Sequence, residues 1–150
     1  MARKRGRVDS VTEAVRIASA DDIQIPANVP LAEGDIPFFR NVIAEYARAE
    51  WSAHQLEIAA MLARTMADLV REQDLLRTEG AVAYSEKGSP LANPRKAVVQ
   101  MHASSILSFR RSLSLHARAQ GGEARDVAKR REAAKEIEGA AASDDDLLLA

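Results

Sequence analysis

Apolar side chains return every three or four positions along two long stretches of this chain, and the breaks between them fall at Gly and Pro. The helical grammar becomes clear from Asp35. Phe39, Val42, Ile43 and Tyr46 recur at helical spacing. Asp35 can cap, and Pro37 suits an early helical position where its missing N–H is not needed. This helix is predicted to end near Ala49 or Glu50. Ser52 with Gln55 makes a capping-box pattern, in which each side chain satisfies a backbone N–H of the other. It opens a second helix through Leu56, Met66, Leu69, Val70 and Leu76, with no Gly or Pro until Gly80. At a rise of about 1.5 Å per residue that helix spans roughly 35–40 Å.

Residues 78–93 interrupt the pattern with Gly80, Gly88 and Pro90. Ala81-Val82-Ala83-Tyr84 can pair with residues near Leu91 across Ser85-Glu86-Lys87-Gly88, as a small β-hairpin or an extended loop. Asn93 and Pro94 supply a cap and a first helical residue for a third helix, predicted to run to about Ala117. Its stripe is Val98 or Val99, His102, Ile106, Phe109 and Leu113, continued by Leu115. Two long helices joined by a short connection pack antiparallel, as an αα-hairpin.

The two ends are sparser. Residues 1–34 carry little sustained periodicity and read as a flexible basic arm. Ser10, Glu13, Val11, Val15, Ile17 and Ala18 allow only a transient helical turn. Residues 118–150 hold few large apolar side chains. Gly121-Gly122 breaks the helix, and a charged helix over 124–138 would be marginal alone in water. The expected organisation is an arm (1–34), a helical core (35–117) and a mostly disordered tail (118–150).

Composition narrows the function. The chain has 150 residues, room for one domain with tails. Its net charge of −1 means that any nucleic-acid contact must come from local clusters. There is no cysteine, which excludes disulfides, thiolate metal sites and cysteine nucleophiles. No apolar run approaches the ~18–20 residues that span a bilayer. The basic start leads into no hydrophobic stretch, so it is not a secretory signal. His54, His102 and His116 stand far apart, without metal-site spacing, and no G-x-x-x-x-G-K-[ST] loop is present. The expectation is a protein that is not an enzyme and needs no cofactor or metal.

Charge clusters carry what remains. Arg3, Lys4, Arg5 and Arg7 have no acidic neighbour before Asp9, which favours phosphate binding through counterion release. From Phe109 to Arg131 the chain reads FRRSLSLHARAQGGEARDVAKRR. Within it, Arg110 and Arg111 either complement a helix dipole or meet a polyanion. Arg125, Lys129, Arg130 and Arg131 either bind DNA or form a solvated face pairing with Glu132 and Glu136. The junction at Trp51-Ser52 allows a helix-turn-helix over 36–66, with Arg40, Arg48 and Arg64 as its cations, or an ordinary helical corner anchored by Trp51. In the long helix, Ala59, Ala60, Ala63 and Ala67 interleave with Leu62, Met66 and Leu69. One helical hairpin cannot bury so much apolar surface, so Leu62, Met66, Leu69, Val70, Ile106 and Leu113 are expected at subunit contacts. Finally, Asp144-Asp145-Asp146-Leu147-Leu148-Leu149 places leucines beside carboxylates, a pattern suited to docking into a groove with a basic rim.

Several weak motifs occur together in an order that resembles the small terminase subunit of tailed bacteriophages. They are the helix ending in RR-x-L-x-x-H, the GGEARD turn, the basic stretch and the closing DD-x-L-x-A. The Trp51-Ser52-Ala53-His54-Gln55-Leu56 helix opening and Gly80 followed by Leu91-Ala92-Asn93-Pro94 precede them. The resemblance covers about residues 36–150 and implies an all-α, ring-forming subunit of about nine copies. It further implies binding to double-stranded viral DNA and recruitment of a large ATPase–nuclease subunit to the terminal Asp/Leu segment. With no membrane-spanning run and no secretory signal, the host cytoplasm is the expected location. Two readings from other classes remain beside it: a dimeric helix-turn-helix transcriptional regulator and a structural helical adaptor.

Overall fold

A computed structural model describes residues 11–115 and 124–148. The chain is mostly helical, with one small two-stranded sheet. α1 (Val11–Ala18) leads through an extended segment and a 3-10 turn (Glu33–Asp35) into α2 (Ile36–Ile43). A second 3-10 turn (Arg48–Glu50) precedes α3 (Ala53–Glu79). β1 (Val82–Tyr84) and β2 (Pro90–Ala92) follow, then α4 (Arg95–Ser112) and α5 (Ala124–Leu148).

Local chemistry sets the ends of α3. Ser52 Oγ accepts from the Gln55 N–H, and Gln55 Oε1 accepts in return from the Ser52 N–H at 3.0 Å. Gly80 ends the helix at φ 84°, in the left-handed region that favours glycine. The strands pair antiparallel with Ala83 opposite Leu91. Asn93, buried, ties the hairpin to both long helices. Its amide donates to the Gly80 carbonyl and to Glu79, both at 3.0 Å, while its Oδ1 accepts from the Arg95 N–H at 2.9 Å. Arg95 reaches back across the corner to Glu79 (2.6 Å) and Glu72 (2.5 Å).

The start of α4 therefore lies on the end of α3. The end of α4 returns to the start of α3, where Ile106 and Leu113 share one core with Ala59, Ala60, Leu62, Ala63 and, from α2, Phe39 and Val42. Alanines at Ala59, Ala60 and Ala63 let the neighbouring helices approach α3 closely.

Three boundaries depart from the sequence pattern. α2 stops at Ile43 rather than near Ala49, because Tyr46 turns inward and the Trp51 indole N–H donates to the Ile43 carbonyl at 3.0 Å. α4 stops at Ser112 rather than near Ala117. Ser114 adopts φ 58°, so the Leu115 N–H bonds the Arg110 carbonyl (2.8 Å) and the Ser114 N–H bonds that of Arg111 (3.0 Å), a Schellman closure. Residues 11–34, expected to belong to a mobile arm, hold α1 and an extended run whose Ile23, Val29 and Leu31 pack on the main core.

The tail differs too. Where mostly disorder was expected, α5 runs from Ala124 to Leu148 and packs along α1. Ile17, Ala47 and Ala134 are buried together there, flanked by Ala49 and Ile137. A helix marginal by itself gains a partner face that only the folded chain supplies.

Candidate nucleic-acid interface

The segment between α2 and α3 organises the charged surface. Tyr46 is buried, and its hydroxyl donates to the Leu113 carbonyl at 2.6 Å, tying the segment to the end of α4. The Trp51 ring lies 5.2 Å away, tilted by 42°. Burial pushes the Tyr46 phenol above its ordinary pKa, and the nearby Arg131 cation opposes that in part. The Arg131 guanidinium carbon sits 3.9 Å from the Tyr46 ring centroid, within cation–π range.

Arg48 leaves the same segment and is held by carboxylates from two distant places. Its Nε donates to Glu138 of α5, and a second nitrogen meets Asp22 at 2.8 Å. The hydrogen bond to Glu138, followed by that to Asp22, raises the guanidinium pKa further above its already high value. Lys135 of α5 donates to the Ala44 carbonyl. Arg16 of α1 pairs with Glu13 and donates to the Ala49 carbonyl, each at 2.7 Å.

The eleven cations nominated from sequence therefore fall into distinct groups. Arg3, Lys4, Arg5 and Arg7 lie outside the described residues. Arg40 on α2 and Arg64 on α3 are exposed and make no ion pair with a described residue, and Arg110 and Arg111 at the end of α4 share that state. Arg48 and Arg131 are brought together around Tyr46 and are occupied by Glu138, Asp22 and the ring. Lys129 is exposed, and Arg130 is half-buried with its Nε enclosed and without a hydrogen-bond partner. Arg125 belongs to α5, with its side chain outside the described set, as are those of Asp144, Asp145, Asp146, Leu147 and Leu148; Leu149 lies beyond the described residues altogether.

Two further expectations are redrawn by the geometry. A helix-turn-helix needs a turn of about 3–4 residues, whereas residues 44–52 separate α2 from α3 with a 3-10 turn among them. Of the residues expected at subunit contacts, Leu62, Ile106 and Leu113 are enclosed by the chain's own core, and Met66 and Leu69 pack against it half-buried. A side chain surrounded by its own chain has no surface left for another. Val70 is exposed, together with Met61 and Leu75 of α3 and Val98, Met101 and Leu107 of α4.

Sequence reasoning passed over Glu138, Asp22 and Tyr46 as the groups that organise this surface. A faint signal was available: Ala134, Ile137 and Ala141 recur at helical spacing, which places Glu138 beside the inner stripe of α5. Among the described residues no cluster of His, Asp and Glu is arranged to hold a metal ion, and no helix is long and apolar enough to cross a membrane.

Fold and surface thus define a small, mostly helical protein whose exposed chemistry is charge and leftover apolar area. The chain matches the profile of the Hendrixvirinae small terminase family over residues 1–150 and belongs to that family. It is 32% identical over 134 residues to the small terminase subunit of Enterobacteria phage HK97, covering 87% of this chain and 83% of that relative. Membership of that family carries a small-terminase role in genome packaging.

Proposed function

We propose that the chain is the DNA-recognition and regulatory subunit of the packaging motor, acting as a homo-oligomeric ring. The observation that carries this reading is family membership along the whole chain, basic arm and tail included. The ring binds double-stranded viral DNA in the host cytoplasm and recruits the large subunit, which cuts DNA and hydrolyses ATP. Arg40, Arg64, Arg110 and Arg111, exposed and without an ion pair among the described residues, and the N-terminal quartet Arg3, Lys4, Arg5 and Arg7 supply phosphate contacts. Arrayed around a ring of about nine subunits, weak contacts of this kind add up to strong avidity.

The exposed apolar positions Met61, Val70, Leu75, Val98, Met101 and Leu107 support subunit contacts along α3 and α4. The terminal Asp144–Leu149 segment docks in a basic-rimmed groove of the large subunit. Native mass spectrometry with and without cognate DNA tests the assembly, with rings above eight chains expected and dimers refuting it. Neutralising the N-terminal quartet should flatten the salt dependence of DNA binding by up to about four phosphates' worth of slope per engaged arm. Removing residues 143–150 should leave rings and DNA binding intact and abolish stimulation of the large subunit. Undiminished packaging by the truncated chain would refute the docking role.

A further inference from the structure

The underside of α5 is an unusual place for a docking helix to rest. Its apolar contact is small: Ile17, Ala47 and Ala134, with Ala49 and Ile137 at the margin. Alanines bury little area, so the hydrophobic contribution is modest. The rest of the contact is polar and lies near the surface. Arg48 pairs with Glu138, Lys135 donates to the Ala44 carbonyl, and Arg131 covers Tyr46. Such interactions weaken as ionic strength rises. Two polar atoms at this end of the molecule, Arg130 Nε and Glu50 Oε2, are buried without a hydrogen-bond partner among the described residues, which counts against tight closure.

The groups consumed by this contact are also cations of the kind that would meet phosphate. Arg48 is engaged by two carboxylates, Glu138 and Asp22, from opposite ends of the chain. Arg131 faces inward over an aromatic ring rather than outward. Meanwhile Arg40, Arg64, Arg110 and Arg111 remain exposed on the core whether or not α5 is in place.

We propose that α5 is a releasable clasp. Closed on α1 and the Tyr46–Glu50 segment, it withholds Arg48 and Arg131 from phosphate; a DNA duplex that competes with Glu138 and Asp22 for Arg48 opens it. The proposal rests on the DNA-binding reading above and adds an autoinhibitory contact to it. Because the duplex engages these two arginines only in the open form, its affinity through them is reduced by the fraction of molecules open. Opening frees α5 over the stretch from Arg131 to Glu138 that makes these contacts.

Hydrogen exchange and duplex binding on the full chain test this together. Docked, α5 should protect its amides over residues 129–141; released, a lone charged helix should exchange quickly. Glu138→Gln removes the carboxylate charge from Arg48 with little change of shape. Ala134→Gln forces a larger neutral side chain into a buried alanine site and opens the clasp without altering charge. Glu86→Gln, at the exposed tip of the β-hairpin, removes one carboxylate away from α5 and reports the general electrostatic effect. Relative to Glu86→Gln, Glu138→Gln should bind a short DNA duplex about twofold to fivefold more tightly at low salt, with faster exchange in α5. Ala134→Gln should act in the same direction, and duplex added to the unmodified chain should itself accelerate α5 exchange.

Unchanged α5 exchange in both α5 variants, with duplex binding intact, overturns the clasp alone. Faster exchange with no gain in affinity over Glu86→Gln overturns the coupling to DNA. If no variant binds duplex while Glu138→Gln still loosens α5, the DNA reading fails and the proposed coupling falls with it.

Discussion

Replacing Tyr46 by Phe deletes one oxygen at the point where the α2–α3 segment, the end of α4 and α5 converge. The hydroxyl is buried and donates to the Leu113 carbonyl at 2.6 Å. That carbonyl belongs to the residue following α4, and among the described residues no backbone N–H bonds it. A buried hydrogen bond contributes about 0.5–1.5 kcal/mol net, and leaving its acceptor unsatisfied costs about 1–3 kcal/mol. Some relaxation toward the surface is available, so a loss of about 1–2 kcal/mol is expected. For a chain of this size that corresponds to a melting-temperature decrease of roughly 2–8 °C.

Urea unfolding followed by circular dichroism, at one fixed protein concentration because assembly shifts apparent stability, gives the magnitude. Tyr46→Leu separates the contributions, because it also removes the ring beneath Arg131 and should cost about 0.5–1 kcal/mol more than Phe for the cation–π contact alone. Alkaline titration adds an independent check. The Tyr46 phenol is pushed above its ordinary value by burial. A folded-state pKa raised in this way contributes stability below the ordinary tyrosine value and loses it as pH rises through the folded one. The alkaline limb of the stability curve should therefore be shallower in Tyr46→Phe. Unchanged stability in that variant, within ~0.3 kcal/mol, would refute the assignment of Tyr46 as the tie between these elements.

Three other outcomes follow from the corner geometry and the apolar face. Arg95, followed by Asn93, holds the Glu79 carboxyl at a pKa of about 2; this depressed value contributes stability above the ordinary carboxylate pKa that disappears as pH falls toward 2, so Glu79→Gln should flatten the acid limb in that window, as read by urea midpoints across pH. Ser114→Gly should stabilise the chain by about 1 kcal/mol, because a non-glycine residue in the left-handed region carries a conformational cost that glycine lacks; a lower urea midpoint would contradict the Schellman closure. Val70→Asp should reduce assembly in native mass spectra while leaving the helical signal intact, since Val70 is 45% exposed in the single chain, and intact rings would move the subunit contact elsewhere.

Short-range chemistry made much of this fold legible. The Ser52–Gln55 box, Gly80, and Asn93-Pro94 each act within three or four residues. Both ends of α3 and the start of α4 lie where these signals placed them, while the hairpin between was one of two readings left open. The absence of cysteine excluded disulfides and thiolate chemistry from the sequence alone. The family, too, was readable from the order of its motifs. What stayed hidden depends on partners far away in sequence. Tyr46 ends α2 early because its hydroxyl finds Leu113, and Arg48 finds Glu138 ninety residues on. Local propensity makes residues 11–18 a transient turn and 124–138 a helix marginal on its own. They become α1 and α5 because Ile17 and Ala134 bury an apolar strip together with Ala47, and Glu138 of α5 pairs with Arg48 of the segment between α2 and α3. Periodicity can show that Leu62, Ile106 and Leu113 want burial, but tertiary packing decides that their own chain, rather than a neighbour, encloses them. Burial is a property of the assembled surface, and no single residue's chemistry states which surface will come to cover it.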